Sequence, residues 1–260
     1  MKLHNPNPLA VNFHLVRAGI AKQLALVLSL FALLFLSTVA HADFILFYGG
    51  DFEPTNQNAN ALANENDAIV GGNPYGAATF QNFIIPAGHT WNIQSLFTNN
   101  LSDLNPTSGY WQLREGVSEG NGGTLIASGT GAGSAFTWDP TNRSAFGYNE
   151  YTAHIHDLSI TLGSGQYWMS VVPLATDQSG RSFNTNTFTR PNGVGTEIDN
   201  QQYFDSAFFG SSFGNANEQG VFPIFSSGID GYETPEPSSL IMLGSGVLGL
   251  GGLLRRRLLS

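Results

Sequence analysis

Residues 156–172 read HDLSITLGSGQYWMSVV. Leu158, Ile160 and Leu162 alternate with polar neighbours, Gly163-Ser164-Gly165 interrupts, and Tyr167, Met169 and Val171 alternate again. A period of two marks a strand with one buried face, and a Gly-Ser-Gly step between two such runs predicts a β-hairpin.

The same period recurs upstream. TFQNFIIPAGHTWNIQSLF predicts strands at 78–85 and 90–97 about the turn Pro86–His89, with Trp91, Ile93, Ser95 and Phe97 on one face and Asn92 and Gln94 on the other. GYWQLREG sets Trp111 and Leu113 against Gln112 and Arg114, and the EGNGG that follows supplies residues able to turn tightly between Val117 and Leu125. Only NANALANENDAI at 58–69 reads as one or two helical turns. Residues 176–220 are polar and aromatic together, and read as long ordered loops in which Phe204, Phe208 and Phe209 must pack. The expected fold is an all-β, antiparallel, jelly-roll-like sandwich over residues 43–225.

Both ends differ from this middle. LALVLSLFALLFL at 24–36 follows Lys2, Arg17 and Lys22 and precedes STVAHA, the layout of a secretory signal peptide. The small residues Ala40 and Ala42 place signal-peptidase cleavage after residue 42, so 1–42 is read as a signal helix. The run spans roughly 20 Å as a helix, short of a bilayer core. At the other end, Ser238–Leu254 is 17 residues without a charge, followed by Arg255, Arg256 and Arg257. That is a short transmembrane helix whose arginines stay cytoplasmic, leaving the preceding domain outside. Residues 226–237 read as a tether and 238–260 as the membrane segment.

Between Asp43 and Thr234 there are eighteen acidic residues, four arginines and no lysine, a net charge of about −14. Nucleic acid is excluded as a partner, because phosphate binding needs clustered cations. Cysteine is absent, so packing rather than disulfides holds this exported chain together.

Pro235-Glu236-Pro237, the glycine-bearing apolar run and the arginine cluster together resemble the PEP-CTERM sorting signal. The resemblance implies an exported bacterial protein anchored transiently in the inner membrane, processed there by an exosortase-like transpeptidase, then placed at the cell surface or in the extracellular matrix. It also implies exopolysaccharide as a partner. GYWQLREGVSEGNGGTLIASGTG at 109–131 resembles a sandwich domain of secreted PEP-CTERM proteins, a likeness that implies no activity.

Candidate chemistry is sparse. His154 and His156 lie two apart, so a strand would put both imidazoles on one face. Tyr110, Trp138, Tyr148, Tyr151 and Trp168 lie near turns or on the phase opposite the apolar faces, and of these Trp138 and Trp168 are the ones expected to meet a ligand such as a sugar ring. NENDA at 64–68 and TEIDNQQYFD at 196–205 hold the oxygens a Ca²⁺ site uses, but neither has the spacing of a calcium loop. No metal ligand set is assigned and no cofactor is expected, with Ca²⁺ left open. There is no Gly-x-Ser-x-Gly, no His-Glu-x-x-His and no phosphate-cradling loop. The leading expectation is a noncatalytic surface or matrix protein, against a glycan-binding module and a secreted hydrolase.

Overall fold

The computed structural model describes residues 44–56, 60–66, 75–176, 180–220 and 224–234, with Gly246. The signal segment, with Ala40 and Ala42, lies outside the described residues, as do Pro235, Glu236, Pro237 and Arg255–Arg257. Among the described residues no helix is long and apolar enough to cross a membrane.

In chain order the strands are β1 (Phe44–Tyr48), β2 (Ala61–Ala63), β3 (Ala78–Ile85), β4 (Thr90–Ser102) and β5 (Ser108–Glu115). Then come β6 (Thr124–Ala132), β7 (Phe136–Ala145), β8 (Tyr148–Ile155), β9 (Ile160–Leu162) and β10 (Gly165–Leu174). The last are β11 (Ser182–Thr187), β12 (Tyr203–Ser206), β13 (Ser211–Asn215), β14 (Ile224–Phe225) and β15 (Ser227–Thr234). They build two antiparallel sheets. One contains β1-β15-β4-β11-β14, with β2 on β11, β8 and β9 on β4, and β7 on β8; the other runs β13-β12-β3-β10-β5-β6.

The two strands within 156–172 do not pair with each other. β9 pairs with β4 in the first sheet, whereas β10 lies between β3 and β5 in the second. Gly163-Ser164-Gly165 is therefore a crossing between sheets, not a hairpin turn. Leu162, Met169 and Val171 share one core cluster with Phe47, Phe83, Leu96 and Ile155, and Ile160 packs against it. Alternation identifies Met169 and Val171 as inward-facing, but the opposite phase of β10 is buried too, with Trp168 and Val172 in a second cluster, and two inward faces meet equally well across a core as along an edge.

Three further expectations change. Ala61–Ala63 is strand rather than helix, because its backbone pairs with Thr185–Phe183 of β11. The described residues of 176–220 carry the strands β11, β12 and β13; Phe204 is buried, while Phe208 and Phe209 stand exposed as an edge-to-face pair. The tether is the largest change. Residues 227–234 form β15, which is flanked by β1 and β4 and buries Ile229 completely.

A second apolar cluster brings Phe80, Val117, Trp168, Val172, Tyr203 and Phe213 together. Part of the interior is polar. Asn99 donates to the Tyr48 hydroxyl and to Ser226 Oγ at 2.9 and 2.8 Å, and its own carbonyl accepts from Thr152 at 2.7 Å. Glu150, fully buried, accepts from Arg143 Nε at 2.5 Å, Thr141 at 2.6 Å and Thr185 at 2.9 Å. A buried amide is tolerable only when hydrogen-bonded, and a buried carboxylate only when ion-paired as well, as Glu150 is with Arg143.

Candidate functional site

The site begins with an irregularity in β4. β15 pairs Asp230 with Ser95 and Gly231 with Ile93, leaving Gln94 unopposed as a β-bulge. The Gln94 carbonyl accepts instead from the Leu158 N–H at 2.8 Å. A bulge shifts the alternation by one. Trp91 and Ile93 before it and Leu96 after it all enter the core, while Ser95 turns outward. The shared face expected for Trp91, Ile93, Ser95 and Phe97 is split at this point.

β8 supplies the histidines. Ala153 and Ile155 enter the core, so His154 points the other way. His156 follows, and the two rings lie with centroids 4.2 Å apart at 33°. Phe97 backs His154 at 5.3 Å. A groove of about 620 Å³ is lined here by Phe44 and Ile45 of β1, Gln94 and Ser95 of β4, His154, Asp230 of β15, and residues 156–158. Phe44 is 52% and Ile45 42% exposed.

Three polar groups form a triangle. Ser95 Oγ donates to Asp230 Oδ2 at 2.8 Å, and His154 Nε2 lies 3.0 Å from both Ser95 Oγ and Asp230 Oδ2. A nucleophilic relay needs the imidazole to take the serine proton on one nitrogen and hold its acid with the other. Here one nitrogen meets both partners, and the serine proton already goes to the carboxylate. The triangle fixes side chains; it does not activate Ser95. His156 Nε2 contacts Thr137 Oγ1 at 3.2 Å. Burial, then the neighbouring His154 charge, lowers the His156 pKa from its ordinary value.

The tryptophans sit elsewhere. Trp168 is 3% exposed, and its indole N–H donates to the Gln201 carbonyl at 2.7 Å. Its edge borders a separate hollow of about 740 Å³ with Glu115, Asn121 and Gln166. Trp138 is half-buried, stacked on Tyr151 at 5.0 Å and 11°, and packs against the main core. Of the four candidate contact residues, only His154 and His156 come together. Ser95, Gln94, Asp230, Phe44 and Ile45 were not foreseen, and Asp230 fell within the segment read as tether.

In the acidic segments Glu65, Glu197 and Asp205 have internal partners, while Asp67 lies outside the described residues. Glu65 takes Arg181 Nε at 2.9 and 3.0 Å and the Ser182 N–H at 2.8 Å. Glu197 accepts from Gln202 at 2.9 Å, and Asp205 from the Tyr75 hydroxyl at 2.8 Å. Among the described residues, no group of three or more His, Asp or Glu is placed to hold a metal ion.

An all-β exported domain with a C-terminal membrane address is the class of protein to which these features belong. Residues 233–257 match the family described as PEP-CTERM protein-sorting motif. The chain thus carries the sorting motif of exosortase substrates, and with it the export and membrane-linked sorting that the motif indicates. No curated protein matches the chain.

Proposed function

We propose that this is a noncatalytic protein of the cell surface or extracellular matrix, held briefly in the inner membrane by residues 238–254. The observation that carries the reading is the abutment of motif and fold. The sorting motif starts at Glu233, while β15 continues to Thr234, paired with Thr90. Strand and address are continuous, so the domain is cargo on its own sorting signal. The Ser95–His154–Asp230 triangle, with one nitrogen serving two partners, supports a noncatalytic role. Signal peptidase and an exosortase-like enzyme are the processing partners.

A second reading is favoured by the groove. Phe44, Ile45 and Leu158 lie beside Gln94, Asp230 and His156, and sugar rings use that mixture of apolar and hydrogen-bonding surface. In this reading the groove holds a strand of exopolysaccharide, without a cofactor and with Ca²⁺ as the ion to test.

Cell fractionation tests the first reading. The full chain should partition with the membrane when the processing enzyme is removed, and deletion of the last 26 residues should release it. A truncated chain that stays in the membrane would contradict the anchor. For the second reading, saturable binding to host exopolysaccharide, weakened about tenfold by Asp230→Asn, is expected with and without Ca²⁺. Turnover of a glycan substrate would contradict the noncatalytic role.

A further inference from the structure

An edge strand presents unpaired N–H and C=O groups, and proteins blunt such edges with shortness, charge, proline or bulges. Most free edges among the described residues are blunted in this way. β1 has five residues, a register break and a bridge from Tyr48 to Val194. β2 has three residues, and β13 has five with Phe213 at φ 45°. β7 is longer, but carries Asp139, Pro140 and Arg143 and breaks register between Pro140 and Ser144.

β6 is different. It has nine residues, TLIASGTGA, with neither charge nor proline. Its one irregularity, opposite Leu113 and Arg114, affects only the start of the strand. From Ala127 to Ala132 the ladder with β5 is regular. Leu125 and Ile126 are 45% and 36% exposed, and Ser128 and Thr130 are exposed as well. No charged residue occurs between Glu119 and Asp139, in a domain of net charge about −14.

The geometry points to β6 as a self-pairing edge, where β6 of a second copy adds antiparallel and joins two six-stranded sheets into one. Two observations select a second copy as occupant. An antiparallel ladder can have a two-fold axis, so one unblunted edge is complementary to itself. Two copies of this acidic domain also repel each other over most of their surface, and the charge-free strip lets them approach without opposing carboxylates. A basic foreign segment would instead be drawn to the acidic surface elsewhere.

The absence of cysteine makes cross-linking unambiguous. Ser128→Cys and Thr130→Cys, made singly in the full chain purified in detergent, should give at least about tenfold more disulfide dimer under mild oxidation than Ser144→Cys on β7. Thr130→Lys, at an exposed position, should weaken self-association at least about tenfold in analytical ultracentrifugation by setting like charges across the new ladder, with circular dichroism unchanged. Equal cross-linking from β6 and β7 overturns the proposal. So does a chain that stays monomeric at the highest concentration reached, or association indifferent to Thr130→Lys.

Discussion

His154 Nε2 lies 3.0 Å from Asp230 Oδ2, joining β8 to β15 across the intervening β4. The contact exists because the Gln94 bulge turns Ser95 outward between them, and it ties the histidine pair to the last strand of the domain.

The ring contact also bears on His156. The His156 pKa is lowered from 6.5 by burial and then by the His154 charge. Below pH 6.5 the unfolded chain therefore binds more protons at this site than the folded one. Stability should fall as pH drops through 6.5, and level off once the folded-state value is passed. NMR titration of the imidazoles should show His156 moving back toward its ordinary value in His154→Ala. An unmoved His156 would mean that the ring contact carries no charge coupling.

Glu150 is costly to disturb. It is fully buried against Arg143, Thr141 and Thr185, and removing it leaves a half-buried guanidinium without its main partner. Glu150→Ala should destabilise by about 3–5 kcal/mol in urea unfolding. A loss below about 1 kcal/mol would indicate that water replaces the carboxylate.

Glu53 should give an acid limb to the stability profile. Burial raises its pKa, but hydrogen bonds from the Thr189 N–H and hydroxyl, the Phe188 N–H and Asn56 outweigh this and bring it to about 2. A depressed carboxyl stabilises above its unfolded value of 4.5 and loses that contribution as pH falls toward 2. The melting temperature of Glu53→Gln should lie below that of the parent at pH 7, and the two should converge in acid. Parallel curves down to pH 2 would remove Glu53 as the cause.

Trp168 should behave as a core residue. Trp168→Ala should cost about 3–5 kcal/mol, through lost packing on Val172 and Tyr203 and the orphaned Gln201 carbonyl. A variant of native stability with weakened glycan binding would return Trp168 to the surface role read from its sequence.

Much of the sandwich was legible because alternation reports burial. The strands at 78–85 and 108–115, and the turn through Glu119–Gly123, lie where period and glycine placement put them. Alternation does not specify the partner, which is why β9 and β10 read as a hairpin. β15 was hidden by SSGIDGY, whose glycines suggest a flexible tether. Gly228 instead answers a packing demand: a Cβ there would overlap the Phe97 ring. The spacing of His154 and His156 was enough to place two rings together. Ser95 and Asp230 depend on a bulge and on pairing between residues 135 apart, and no local pattern encodes either.

Mass spectrometry of both termini of the protein recovered from its native host tests the central claim most directly. The expected result is an N-terminus at Asp43 and a released C-terminus beyond Thr234, near Pro235-Glu236-Pro237, with β15 intact. An N-terminus at Met1, or a released C-terminus upstream of Ser227, would contradict it.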